Sequence, residues 1–146
     1  MENIDKIYEM LHWKNSVDVQ SRGMELARKL KDISLLVQPA AEPSVWEKCA
    51  IILYEKSDEI LESQLMELID WLYDLNWPGA LIILDRLKKY NNLNSLSFAL
   101  SESVKIAVAT DNHKWLENMS ELLTNEKLTS VIPSDILSIL KEHHNN

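Results

Sequence analysis

Four histidines, one cysteine and 23 carboxylates are the side chains here that could serve metal, nucleophilic or acid–base chemistry. Zinc sites built on a helix place two ligands four residues apart, so that both leave the same face. His12, His113, His143 and His144 offer no such pair, and no HExxH occurs. His143 and His144 are neighbours, so on a helix they point to different sides. A single cysteine can form neither an internal disulfide nor a multi-cysteine zinc site. Cys49 lies in the apolar run CAIILY, where a thiol is expected to be buried and inert. Two glycines cannot build a phosphate-cradling loop or a G-x-S-x-G elbow. The sequence therefore implies no catalytic residue, no metal and no cofactor, and the expected function is non-enzymatic.

What remains is charge, and it is unevenly placed. The formal net charge is −8, and residues 41–74 alone carry nine acidic groups against Lys48 and Lys56, a net of −7. Residues 1–40 are neutral, 75–90 carry +2 and 91–146 carry −3. A chain this acidic lacks the basic footprint that a phosphate backbone requires, so nucleic acid is not an expected partner. Steering of a basic protein is what such a field can do, although a solvated face has the same composition.

The elements that must carry these groups are helices. Two glycines and four prolines in 146 residues are too few turn formers for a sandwich, a barrel or a doubly wound sheet. Apolar residues recur at spacings of three and four almost throughout. The spacing predicts helices over about 3–12, 17–32, 45–57, 58–73, 78–90 and 95–110, a seventh from Asp111 or Asn112 to Leu123, and an eighth from Pro133. Ser44-Val45-Trp46-Glu47 reads as a capping box, and Ser57 as an N-cap. Pro78 suits the first turn of the fifth helix, and the HHNN tail is expected to fray. Residues 33–43, with QPAAEP, form the longest connection.

Eight helices with short turns make four antiparallel pairs. Trp46 with Ala50-Ile51-Ile52-Leu53 aligns on Trp77 with Leu81-Ile82-Ile83-Leu84 at an offset of 31. Trp13 precedes Trp46 by 33 residues, and Trp115 follows Trp77 by 38. A period in the thirties built of helix pairs predicts an all-α superhelix, a HEAT- or armadillo-like solenoid, in a single domain spanning 1–146. A closed bundle is the alternative. Helices three and five should be covered on both sides. The fourth should bury Ile60, Leu61, Leu65, Leu68, Ile69 and Leu72 and turn Glu59, Glu62, Glu67 and Asp70 to water.

The segment LMELIDWLYDLNWPGALIILDRL resembles a bacterial, all-helical, HEAT-like family known only as a domain of unknown function. Its hallmark, WL-x-D, a hydrophobic residue, then NWP and a small residue, falls on Trp71, Leu72, Asp74, Leu75, Asn76, Trp77, Pro78 and Gly79. A downstream Asp-x-x-Trp element is approximated by Asp111, Lys114 and Trp115. The likeness covers 58–123 best, extends over 44–146, and leaves the pair in 1–32 and the connection 33–43 outside. It implies a HEAT-like fold without an established activity. Relatives resemble small cytoplasmic proteins of bacterial toxin–immunity systems. The hallmark itself has a structural explanation: Trp71 and Trp77 fill the wedge between pairs, and Asp74 accepts from backbone amides at the next helix start.

Taken together, these readings lead to one expectation. The chain is a non-enzymatic, cytoplasmic helical-repeat module that binds another, basic protein, in its specific form an immunity-type antidote. The contacts expected are Glu55, Asp58, Glu59, Glu62, Glu67 and Asp70. No secretion signal is read in MENIDKIYEML, and no apolar run approaches a membrane span. Two alternatives stand beside it. One is a structural, self-associating protein. The other is a DNA glycosylase of the HEAT-like-repeat type, using tryptophans and one of Asp70, Asp74 or Asp111, which the acidic charge disfavours.

Overall fold

The computed structural model describes residues 4–39 and 41–144, which among themselves are all-helical with no strand. The helices are α1 (Ile4–Leu11), α2 (Val17–Arg28), α3 (Trp46–Tyr54), α4 (Asp58–Leu61), α5 (Leu65–Asp70), α6 (Ala80–Lys88), α7 (Leu93–Ala109), α8 (His113–Met119), α9 (Glu126–Thr129) and α10 (Ser134–His143). Short 3₁₀ turns at Ile33–Leu36, Pro43–Val45, Glu62–Gln64, Trp71–Tyr73 and Ser120–Thr124 join or extend them. Asn3, placed in the first expected helix, Ala40 of the connection, and Asn145 and Asn146 of the expected frayed tail lie outside the described residues.

Side chains start half of the α-helices. Ser16, Ser57, Asn92, Asn112 and Asn125 each accept a bond from a backbone amide two or three residues on, satisfying a donor that the helix cannot. The expected capping box at Ser44 does not form. Pro43 opens a 3₁₀ turn that takes Ser44 into it, Val45 becomes the N-cap of α3, and the buried Ser44 hydroxyl has no partner among the described residues. Nor does Pro78 begin a helix. It shares with Gly79 the centre of a turn from Trp77 to Ala80, closed by a 3.0 Å backbone bond, and α6 starts after it. Gly79 has φ 84°, as the second central position of a type II turn demands.

The elements pack pairwise. α1 and α2 pack as a hairpin, α3 packs against both α2 and α6, α5 against α7, and α8 against α7 and α10. α3 and α6 run side by side in the same direction. At one end Gly79 sits against Ala50 and Trp46, and at the other Tyr54 donates to Asp85 at 2.8 Å. A Cβ on Gly79 would lie 2.7 Å from Ala50 Cβ and 3.0 Å from the Trp46 carbonyl, so only glycine allows this approach. One cluster of buried apolar side chains reaches from Ile7 to Leu140.

Two expectations about faces fail. The fourth expected helix is broken by the 3₁₀ turn at Glu62–Gln64. Each 3₁₀ residue turns the chain by about 120° rather than about 100°, so this turn rotates the face of α4 against that of α5. Ile60 leaves the stripe and is 49% exposed, while Leu61, Leu65, Leu68, Ile69 and Leu72 stay buried. On α6, Leu81 is 63% exposed, so that helix is not covered all round.

Candidate partner-binding face

Three of the six expected contact residues are bound within the molecule. Glu55 accepts two bonds from the Arg28 guanidinium, at 2.8 and 3.1 Å, which hold its carboxyl below the ordinary range. Asp58 meets Arg86 at 2.6 Å and accepts from the Asn91 amide at 2.7 Å. Burial pushes the Asp58 carboxyl up, but those two bonds outweigh it and hold it low. Glu62 sits 3.0 Å from the Tyr90 hydroxyl and accepts from Asn92 at 3.1 Å.

Beside the Glu55 and Asp58 pairs runs a separate ladder of side-chain bonds to backbone carbonyls. Lys56 Nζ donates to the Arg28 carbonyl at 3.0 Å, Arg86 donates to the Lys56 carbonyl at 2.9 Å, and Asn125 donates to the Lys88 carbonyl at 3.4 Å. The last carbonyls of a helix have no partner within it and carry the negative end of its dipole. The Arg28 and Lys88 carbonyls, which end α2 and α6, are each met here by a donor from a later element. Glu55 holds Arg28, Asp58 holds Arg86, and Glu62 holds Tyr90 and Asn92, so each carboxylate joins two parts of the chain.

Of the other three, two face outward. Glu59 and Glu67 are exposed, with no hydrogen-bond or ion-pair partner among the described residues. Asp70 is half-buried, and burial followed by the charge of Glu67 raises its carboxyl to about 6. Glu62 and Glu67 line one wall of an open groove of about 520 Å³ whose other wall is α7. Leu65 and Met66 join them, and Asn94, Ser95, Phe98 and Ala99 come from α7, so none of the lining residues is basic.

Phe98, 67% exposed, is a surface residue that the apolar count of α7 conceals. At about 100° per residue Leu96, Leu100, Val104 and Ala107 share one side, and Phe98 lies about 200° from Leu96. The helical wheel could have found it.

The hallmark residues hold the turn before α6. Trp71 is fully buried, donates to the Pro78 carbonyl at 3.0 Å, and touches the Gly79 position. Trp46 meets Trp71 and Trp77 edge to face, with centroids 6.5 and 5.5 Å apart, and Tyr73 stacks on Trp77. Asp74 accepts from the Asn76 amide at 2.8 Å, inside the turn and ahead of the helix start it was expected to cap. Trp115 is buried and donates to the Ile69 carbonyl, which ties α8 to α5. Trp13 is the exposed exception at 66%.

The remaining reactive groups have structural places. Cys49 is buried, and burial raises its thiol to about 12, far from a nucleophilic thiolate. His143 stacks on His113 with a ring nitrogen at 3.3 Å, while His144 approaches Ser120. Among the described residues no group of three or more His, Cys, Asp or Glu side chains is placed to hold a metal. No described helix is long and apolar enough to cross a membrane. Compared with protein families, curated proteins and solved structures, the chain finds no match.

Proposed function

We propose that the chain is a non-enzymatic helical-repeat module, an α-α superhelix, that binds a basic protein through the outward acidic residues of the 58–70 region. The observation that carries this reading is the division of its carboxylates. The bound ones build the stack, whereas Glu59 and Glu67 have neither a structural partner nor a neutralising one among the described residues. Unpartnered charge of one sign, in a segment with a net of −7, raises the encounter rate with an oppositely charged partner and disfavours others. The resemblance to HEAT-like relatives of toxin–immunity systems supports the specific form, an antidote that occupies a basic toxin surface.

The test is affinity capture of the tagged protein from its host's lysate beside the variant Glu59→Lys/Glu67→Lys. A basic protein held by the parent and lost by the variant is expected. A partner held equally by both contradicts the reading.

A second reading, self-association, rests on a different surface. Ile51, Tyr54, Leu81 and Ile82 line an apolar groove of about 460 Å³ between α3 and α6. Sedimentation at several concentrations tests it, with a Leu81→Ser variant restoring the monomer if this surface pairs copies.

A further inference from the structure

The groove between the 62–67 segment and α7 narrows the kind of partner segment that fits. We infer that it receives a short basic segment carrying one or two large apolar side chains, which pack on Phe98 and Met66 while a flanking lysine or arginine meets Glu67. This rests on the basic-partner reading above and deepens it.

Two observations carry it. The lining is chemically divided, with Leu65, Met66, Phe98 and Ala99 as apolar surface and Glu62 and Glu67 as charge, and no cation is present to neutralise them. Phe98 is 67% exposed, so a large aromatic surface faces the groove without a cover among the described residues. Covering such a ring adds apolar burial, which charge alone at an exposed site does not supply.

Size sets the length of the occupant. The lining residues 62–67 and 94–99 each span six positions. At about 1.5 Å per helical residue that is roughly 10 Å of groove, enough for about two turns of a docked helix. A second copy of this chain is a poor occupant, because it brings another net −8 to an acidic wall.

The probes are two peptides of about 12 residues, roughly three helical turns, with equal lysine content. One has leucines along one face and the other has serines there. Each is titrated into the full-length, isotopically labelled protein at low and moderate salt, and amide shifts are followed. The leucine peptide should bind about tenfold more tightly. Its shifts should centre on 62–67 and 94–99. Phe98→Ser should remove the difference between the peptides, and Glu67→Lys should weaken both. Circular dichroism of both variants should match the parent, since both positions are exposed.

Shifts centred instead on residues 51–54 and 81–85 would overturn the groove while keeping a basic partner. Equal affinity for the two peptides would overturn the apolar half of the inference. Binding of neither peptide would overturn the groove and the basic-partner reading together. A dimer without peptide that Phe98→Ser dissolves would give the groove to a second copy and overturn the inference.

Discussion

Arg86 ties α6 to the junction between α3 and α4 by donating to the Asp58 carboxylate at 2.6 Å and to the Lys56 carbonyl at 2.9 Å from the same nitrogen. Its side chain is only 10% exposed and that of Asp58 22%, so the pair is largely withdrawn from water. The guanidinium also lies 5.8 Å from the Tyr90 ring centroid. Asp58, for its part, fixes the chain entering α7 through the Asn91 amide.

Removing one member of such a pair leaves the other buried and uncompensated. Arg86→Met is therefore expected to cost about 3 kcal/mol in urea unfolding. The double variant Arg86→Met/Asp58→Asn should lose less than the sum of the single losses, because neither charge is then stranded.

Gly79 is a second critical point. Gly79→Ala places a Cβ 2.7 Å from Ala50 Cβ at a backbone angle of 84° that disfavours side chains. A loss of about 2 kcal/mol or more is expected, from strain plus separation of α3 and α6. Ala50→Gly would relieve the clash and recover part of it, whereas a loss under about 0.5 kcal/mol would contradict the packing described.

The carboxylates should divide in stability as they do in geometry. Glu59→Lys/Glu67→Lys is expected within about 0.5 kcal/mol of the parent. Glu62→Ala should cost about 1 kcal/mol, because Asn92 loses its acceptor and Tyr90 keeps only the Asp58 carbonyl. Chemical denaturation of the three proteins side by side distinguishes these outcomes.

Asp70 predicts a pH dependence of definite sign. Its folded carboxyl titrates near 6, above its ordinary 3.8, so between those values the folded state holds more proton than the unfolded one. Stability from this group is then present below about pH 4 and falls as pH rises through 6. Asp70→Asn should stabilise at pH 8 by on the order of 1 kcal/mol, after discounting for partial exposure, and gain nothing at pH 4. Asp58, held low, has the opposite sign, and its contribution is lost only in strong acid.

Much of this architecture could be read from residue types. The offset of 31 between Trp46 and Trp77 becomes a contact, because the helices that follow them, α3 and α6, lie side by side. Ser57 and Asn112 cap as their types predict, since a short polar side chain before an apolar run has one good acceptor geometry. Ser44 misled because Pro43 starts its own turn. The site was harder to read. Composition finds carboxylates, but whether Glu55 or Glu59 is neutralised depends on Arg28, which is 27 residues from one and absent from the surroundings of the other. Long-range pairing has no local signature.

The most direct measurement is hydrogen exchange on the protein alone and in complex with the basic partner recovered from its host. Protection gained over residues 58–70 and 94–99, with residues 77–85 unchanged, is the expected result. Protection confined to 77–85, with the acidic wall exchanging as in the isolated protein, would contradict the account.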